Sequence, residues 1–137
     1  MRFTGPERSI GFRWFSDPAS RALYAPEDHA FLSRLWASGL REVVSRRGPA
    51  SRAARLAELL LARSAEFREV WERHEVGLRP GETKRFVHPE LGAMELTCQN
   101  LVDPFSSQSL LVYTAAPGSE SHDKLALLST LAPRAVH

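Results

Sequence analysis

The residues able to do chemistry in this sequence fall mostly in two stretches. Phe67, Val70, Trp71 and His74 recur at i, i+3, i+4 and i+7, the spacing that aligns four side chains on one helix face. A histidine aligned with two aromatics leaves bulk water yet keeps a hydrogen-bonding edge, which suits an apolar pocket with one polar anchor. The same spacing also fits a core helix whose histidine is satisfied by a backbone carbonyl, and spacing alone favours that plainer reading. In the second stretch, Lys84, Phe86 and His88 alternate along one strand face, with Leu96, Cys98 and Tyr113 on later strands. Lysine is seldom buried unless paired, so Lys84 either snorkels to a rim or meets an acidic group of protein or ligand. His88, just before Pro89 at a strand end, either anchors a ligand or caps the turn.

Familiar catalytic templates fail. The chain has no GxGxxG, Walker loop, GxSxG or HExxH. His74 and His88 lack a third ligand at natural spacing, so no metal site is expected, and no cofactor either. Cys98, in mid-strand beyond Met94 and Leu96, reads as a small buried hydrophobe rather than a nucleophile. If the chain is nonetheless an enzyme, His74, His88 and Tyr113 are the side chains to act as acid or base.

Two kinds of element must position these groups, and composition changes near residue 77 from helical to strand signals. Pro6 and Glu7 open a short helix through Trp14 and Phe15. Ser16, Asp17 and Pro18 cap a second that stops near Pro26. The longest helix starts at Glu27 and Asp28, carries Phe31, Leu32, Leu35, Trp36, Leu40, Val43 and Val44, and ends at Gly48. Ser51 starts a helix through Leu61, and Ser64 caps the one that carries Phe67 to His74. Period-two alternation then predicts a strand from Thr83 to His88, a turn over Pro89 to Gly92, a second strand through Cys98 and a third over Leu110 to Ala115. Ser121 caps a last helix through Leu131. The expected fold is α+β: about five N-terminal helices, a three-stranded antiparallel sheet and a C-terminal helix. So small a sheet must bury one face to be stable.

Bulk properties bound the function. At 137 residues with 43% hydrophobic content, residues 1–137 read as one domain. Lys and Arg number 18 against 16 Asp and Glu, a net charge of only +2, which is no nucleic-acid signature. The densest basic stretch, Arg46, Arg47, Arg52 and Arg55, reads as solvated helix ends. A single cysteine fits a reducing compartment, and no apolar run approaches the roughly 20 residues that span a bilayer, so the expected location is the cytoplasm, with no membrane partner.

Four segments in order, FRWFSDPASRALY, SAEFREVWERHEV, GETKRFVHPELGAMEL and LLVYTAAPGSESHDKLALLSTL, resemble the C-terminal ligand-binding domain of MmyB-like transcription regulators, in which an XRE-type helix-turn-helix domain precedes a PAS-like sensor. The match runs from about Pro6 to Leu131. Phe15, Asp17 and Pro18 correspond to the family's Phe-Thr-Asp-Pro signature. Phe67, Trp71, His74 and Val76 correspond to its tryptophan-histidine helix, and Lys84, Phe86, His88, Pro89 and Gly92 to its first C-terminal strand and turn. Tyr113, Thr114, Pro117 and Gly118 correspond to the last strand and exit.

The resemblance implies a PAS-like sheet with helices over its face and a pocket between helices and sheet for a fatty-acid-like or otherwise apolar molecule. It also implies ligand contacts from Trp14, Phe15, Phe67, Trp71, His74, Lys84, Phe86, His88, Leu96, Cys98 and Tyr113. Pocket size would depend on Trp14, Trp36, Phe67, Trp71 and Phe86. Cys98 stands where the family usually has an aromatic, which reshapes the pocket. The DNA-binding half and the segment that supplies the family's first two strands are not in this sequence, so an open sheet edge is expected to pair with a second copy or a homologous regulator. A small-molecule sensor of a transcription regulator, without direct nucleic-acid contact, is therefore the expected function. A stand-alone enzyme using the same pocket and a protein-interaction module using the sheet edge are the alternatives.

Overall fold

The computed structural model describes residues 2–106 and 108–131. It is α+β, and its contacts divide the chain into two compact units, one comprising residues 1–22 and 26–79 and the other residues 23–25 and 80–137.

The first unit is helical. A 3-10 turn, Gly5–Arg8, precedes α1 (Ile10–Ser16), and 3-10 segments Pro18–Leu23 and Pro26–Asp28 lead into α2 (His29–Arg47), followed by α3 (Arg52–Arg63) and α4 (Ala65–Trp71). The expected first helix is thus broken. Ser9 interrupts it, because its hydroxyl accepts the Phe12 N–H at 3.2 Å and so caps α1 itself. Ser51 and Ser64 cap α3 and α4 in the same way, through Ala54 and Phe67. Gly48 stops α2 at φ 87°, a conformation costly for any residue with a Cβ. Phe12, Ala37, Ala57, Leu60, Phe67 and Val70 form the core, each helix giving its apolar stripe.

The second unit is an antiparallel sheet of order β1-β2-β3, with β1 (Thr83–His88), β2 (Gly92–Val102) and β3 (Ser109–Thr114), joined by α5 (Glu120–Leu131). Phe86 faces Met94, Lys84 faces Leu96 and Cys98 faces Tyr113. Because cross-strand partners share a face, Lys84, Phe86, His88, Leu96, Cys98 and Tyr113 all lie on one side of the sheet. Phe86, Met94 and Leu96 are its buried centre, with Tyr24, Tyr113, Ala115 and Leu125 packed around them. Tyr24 adds an isolated bridge to Phe86 at the β1 edge. The C-terminal helix begins differently from expectation: the Ser119 hydroxyl accepts the His122 N–H at 3.1 Å, while Ser121 takes the Glu95 N–H at 2.9 Å and ties α5 to β2.

Candidate functional site

In the helical unit the Ser64 cap launches α4 so that Phe67 lies fully buried, with Phe15 edge-on at 5.0 Å and Trp71 stacked at 5.2 Å. The Arg41 guanidinium lies 3.9 Å over the Trp71 ring and donates to the Trp71 carbonyl at 2.6 Å, covering both the ring and the helix end. Here the expectation of a helix through His74 is corrected. The α-helix stops at Trp71, and His74 follows in a turn with φ 52°, exposed, so it does not continue the face of Phe67 and Val70. Apolar spacing reported which residues are buried, and the chain left the helix one turn before the pattern did.

Trp14 is buried for a structural reason. Its indole Nε1 donates to Ser33 Oγ at 2.9 Å, and the Ser33 hydroxyl donates to Glu66, which also receives Arg21 Nη2 at 2.6 Å. Arg21 Nε returns to the Trp14 carbonyl at 2.9 Å, and its guanidinium covers the Trp14 ring at 4.6 Å. Burial pushes the Glu66 carboxyl up, but the hydrogen bonds from Arg21 and Ser33 and the charge of Arg21 outweigh it and hold it below the usual carboxylate range. This network ties α1, α2, α4 and the Pro18–Leu23 segment together.

Beside that core a cavity of about 420 Å³ opens between α1, α2, α3 and α4. Trp36, Gly39, Leu40 and Val43, spaced i, i+3, i+4 and i+7 on α2, form one wall. Phe12 and Phe15 of α1, Leu56 and Leu60 of α3, and Phe67 of α4 form the others. Two glycines shape it. A Cβ on Gly11 would stand 3.6 Å from the Trp36 ring, so α1 approaches α2 closely there, whereas one on Gly39 would meet nothing within 4 Å. Trp36 Nε1 is buried and has no hydrogen-bond partner among the described residues. A buried donor left unmade costs free energy. Arg8, Ser9 and Leu56 also line an adjoining recess of about 820 Å³, completed by Gly5, Pro6, Arg52, Arg55 and Leu59.

Of the residues expected from the sequence, Phe15 and Phe67 line the cavity, Trp14 and Trp71 pack in the same unit, and the other six apart from His74 share the sheet face of the second unit. There Phe86 and Tyr113 meet edge to face at 5.3 Å, and Lys84 Nζ stands 5.8 Å from the Tyr113 ring centre. Burial, and then the neighbouring Cys98 sulfur, push the Tyr113 hydroxyl up to about 12, so at neutral pH it is a hydrogen-bonding phenol rather than a base. His88 Nδ1 accepts the Glu90 and Leu91 N–H groups at 3.1 and 3.2 Å, which makes it a cap of the β1-β2 turn. The wall that sequence reasoning missed, Gly39, Leu40 and Val43 beside Trp36, carries the same spacing that drew attention to α4. A glycine in mid-helix was the available signal.

Among the described residues no three His, Cys, Asp or Glu side chains group to hold a metal ion, and no helix is long and apolar enough to cross a membrane. No curated protein matches the chain. The sequence model of the MmyB-like transcription regulator ligand binding domain matches residues 1–128, most of the chain and both units. This chain belongs to the MmyB-like transcription regulator ligand-binding-domain family.

Proposed function

We propose that the domain senses an apolar, fatty-acid-like molecule for a cytoplasmic transcription regulator, and that the molecule sits in the cavity beside Trp36. The observation that carries this reading is the cavity itself, walled mainly by apolar side chains of four helices. At about 30 Å³ per water-sized group, 420 Å³ takes on the order of a dozen heavy atoms, the size of a medium acyl chain. The cavity borders four helices, so an occupant that binds one arrangement of them better shifts their populations, which is the thermodynamic content of sensing. Calorimetric titration with dodecanoate tests this: one equivalent should bind with a negative heat-capacity change. No heat and no uptake in native mass spectrometry would remove the reading.

A second reading, self-pairing or pairing with a homologous regulator, is favoured by the apolar side chains exposed where β2 and β3 end: Leu101, Val102, Phe105, Leu110 and Leu111. Strand β3 is an edge without a charged residue. Sedimentation at rising concentration should show a dimer, and a strict monomer would eliminate the self-pairing form.

A further inference from the structure

The recess that adjoins the cavity has its own chemistry. Arg8, Arg52 and Arg55 line it, and no acidic residue lines either space. All three arginines are exposed, and none has an ion pair or a hydrogen bond to its guanidinium among the described residues, unlike Arg21, Arg34 and Arg79, which pair with Glu66, Glu75 and Glu42. Arg52 and Arg55 also stand in the first turn of the twelve-residue α3, where the helix dipole adds partial positive charge to theirs. The two spaces share Arg8, Ser9 and Leu56, so a molecule whose chain lies beside Trp36 reaches the arginines with its other end.

We infer that the physiological ligand carries a phosphorylated head group, its apolar chain in the cavity beside Trp36 and its phosphate on Arg8, Arg52 and Arg55. This rests on the sensor reading above and deepens it. A carboxylate is matched by one guanidinium through a two-point contact, which leaves the other two arginines without a counter-charge. A phosphate monoester brings close to two negative charges and three acceptor oxygens, enough to engage all three. The recess, at about 820 Å³, is also larger than a carboxylate needs.

The test compares heads on one chain. Dodecyl phosphate, dodecanoate and dodecanol are titrated by calorimetry into the full chain, alongside inorganic phosphate and a short DNA duplex, and the same series is run on R52A/R55A and on G39L. Dodecyl phosphate should bind at least tenfold tighter than dodecanoate. R52A/R55A should lose that advantage and keep its dodecanol affinity, because neither arginine lines the cavity, and G39L should weaken all three amphiphiles. Equal affinity for phosphate and carboxylate heads overturns the inference and leaves the sensor reading standing. So does an advantage that survives in R52A/R55A. Inorganic phosphate or DNA binding as tightly as dodecyl phosphate also overturns it, since the arginines would then be an anion patch independent of the cavity. Failure of all three amphiphiles overturns both readings.

Discussion

Replacing Gly39 separates stability from ligand binding. Gly39 stands in the middle of α2, lines the cavity, and has nothing within 4 Å of the place a Cβ would occupy. Glycine in a helix interior costs about 1 kcal/mol against alanine, and leucine is almost as good a helix former, so Gly39→Leu should gain roughly 0.8 kcal/mol from backbone propensity. For a chain of this size that raises Tm by about 3 °C. The new side chain adds four heavy atoms where the ligand's would be. At about 0.3 kcal/mol per displaced ligand atom, the loss is about 1.2 kcal/mol, close to tenfold in Kd. Gly39→Ala should show the same gain in Tm and less than a twofold loss of affinity. Thermal unfolding by circular dichroism and dodecanoate calorimetry on the two variants give both numbers. If Gly39→Leu binds as the parent does, the cavity is not the ligand site. If its Tm falls by 3 °C or more, the space above Gly39 is not empty and the geometric argument fails.

Ser33→Ala removes the hydroxyl to which the buried Trp14 Nε1 donates and should cost about 1–3 kcal/mol, lowering Tm by roughly 4–10 °C; a shift under 2 °C would show that the network is not holding α1 on α2. Trp36→Phe should act the opposite way, leaving Tm unchanged or higher because an unmet buried donor is gone; a fall of more than about 2 °C would contradict this. The Glu66 carboxyl is held below its usual range when folded, so its stabilising contribution is present above the unfolded value of about 4.3 and is lost as pH falls through the folded value. Tm should therefore drop as pH is lowered below about 4.5. Glu66→Gln should flatten part of that drop, with Glu42, Glu75, Glu120 and Asp103, also lowered, supplying the remainder; identical slopes in parent and variant would contradict the assignment.

The features legible in the sequence were those written in local chemistry. Ser51, Ser64 and Gly48 punctuate the helices because a hydroxyl reaching an orphan N–H and a positive φ are decided within three or four residues. The period-two run over Lys84, Phe86 and His88 gave the strand and its shared face, because alternation is a property of the strand itself. His74 marks the limit of that logic. Its spacing from Phe67 and Trp71 is helical, yet the backbone leaves the helix at Trp71, whose carbonyl accepts the His74 N–H at 3.1 Å and the guanidinium of Arg41, thirty residues away. The second tryptophan stripe shows the complementary failure. Trp36, Gly39, Leu40 and Val43 have the spacing of a core face, but Gly39 contributes no side chain to fill it and Trp36 brings a donor that nothing answers. Pattern reading counts the groups that fill space, whereas a binding site is defined by groups that are missing. A mid-helix glycine one turn from a buried indole costs the fold about 2 kcal/mol together, through weaker helix propensity and an unmet hydrogen bond. The atoms missing above Gly39 are what an apolar ligand chain supplies, and this is the physical reason to look for the ligand there.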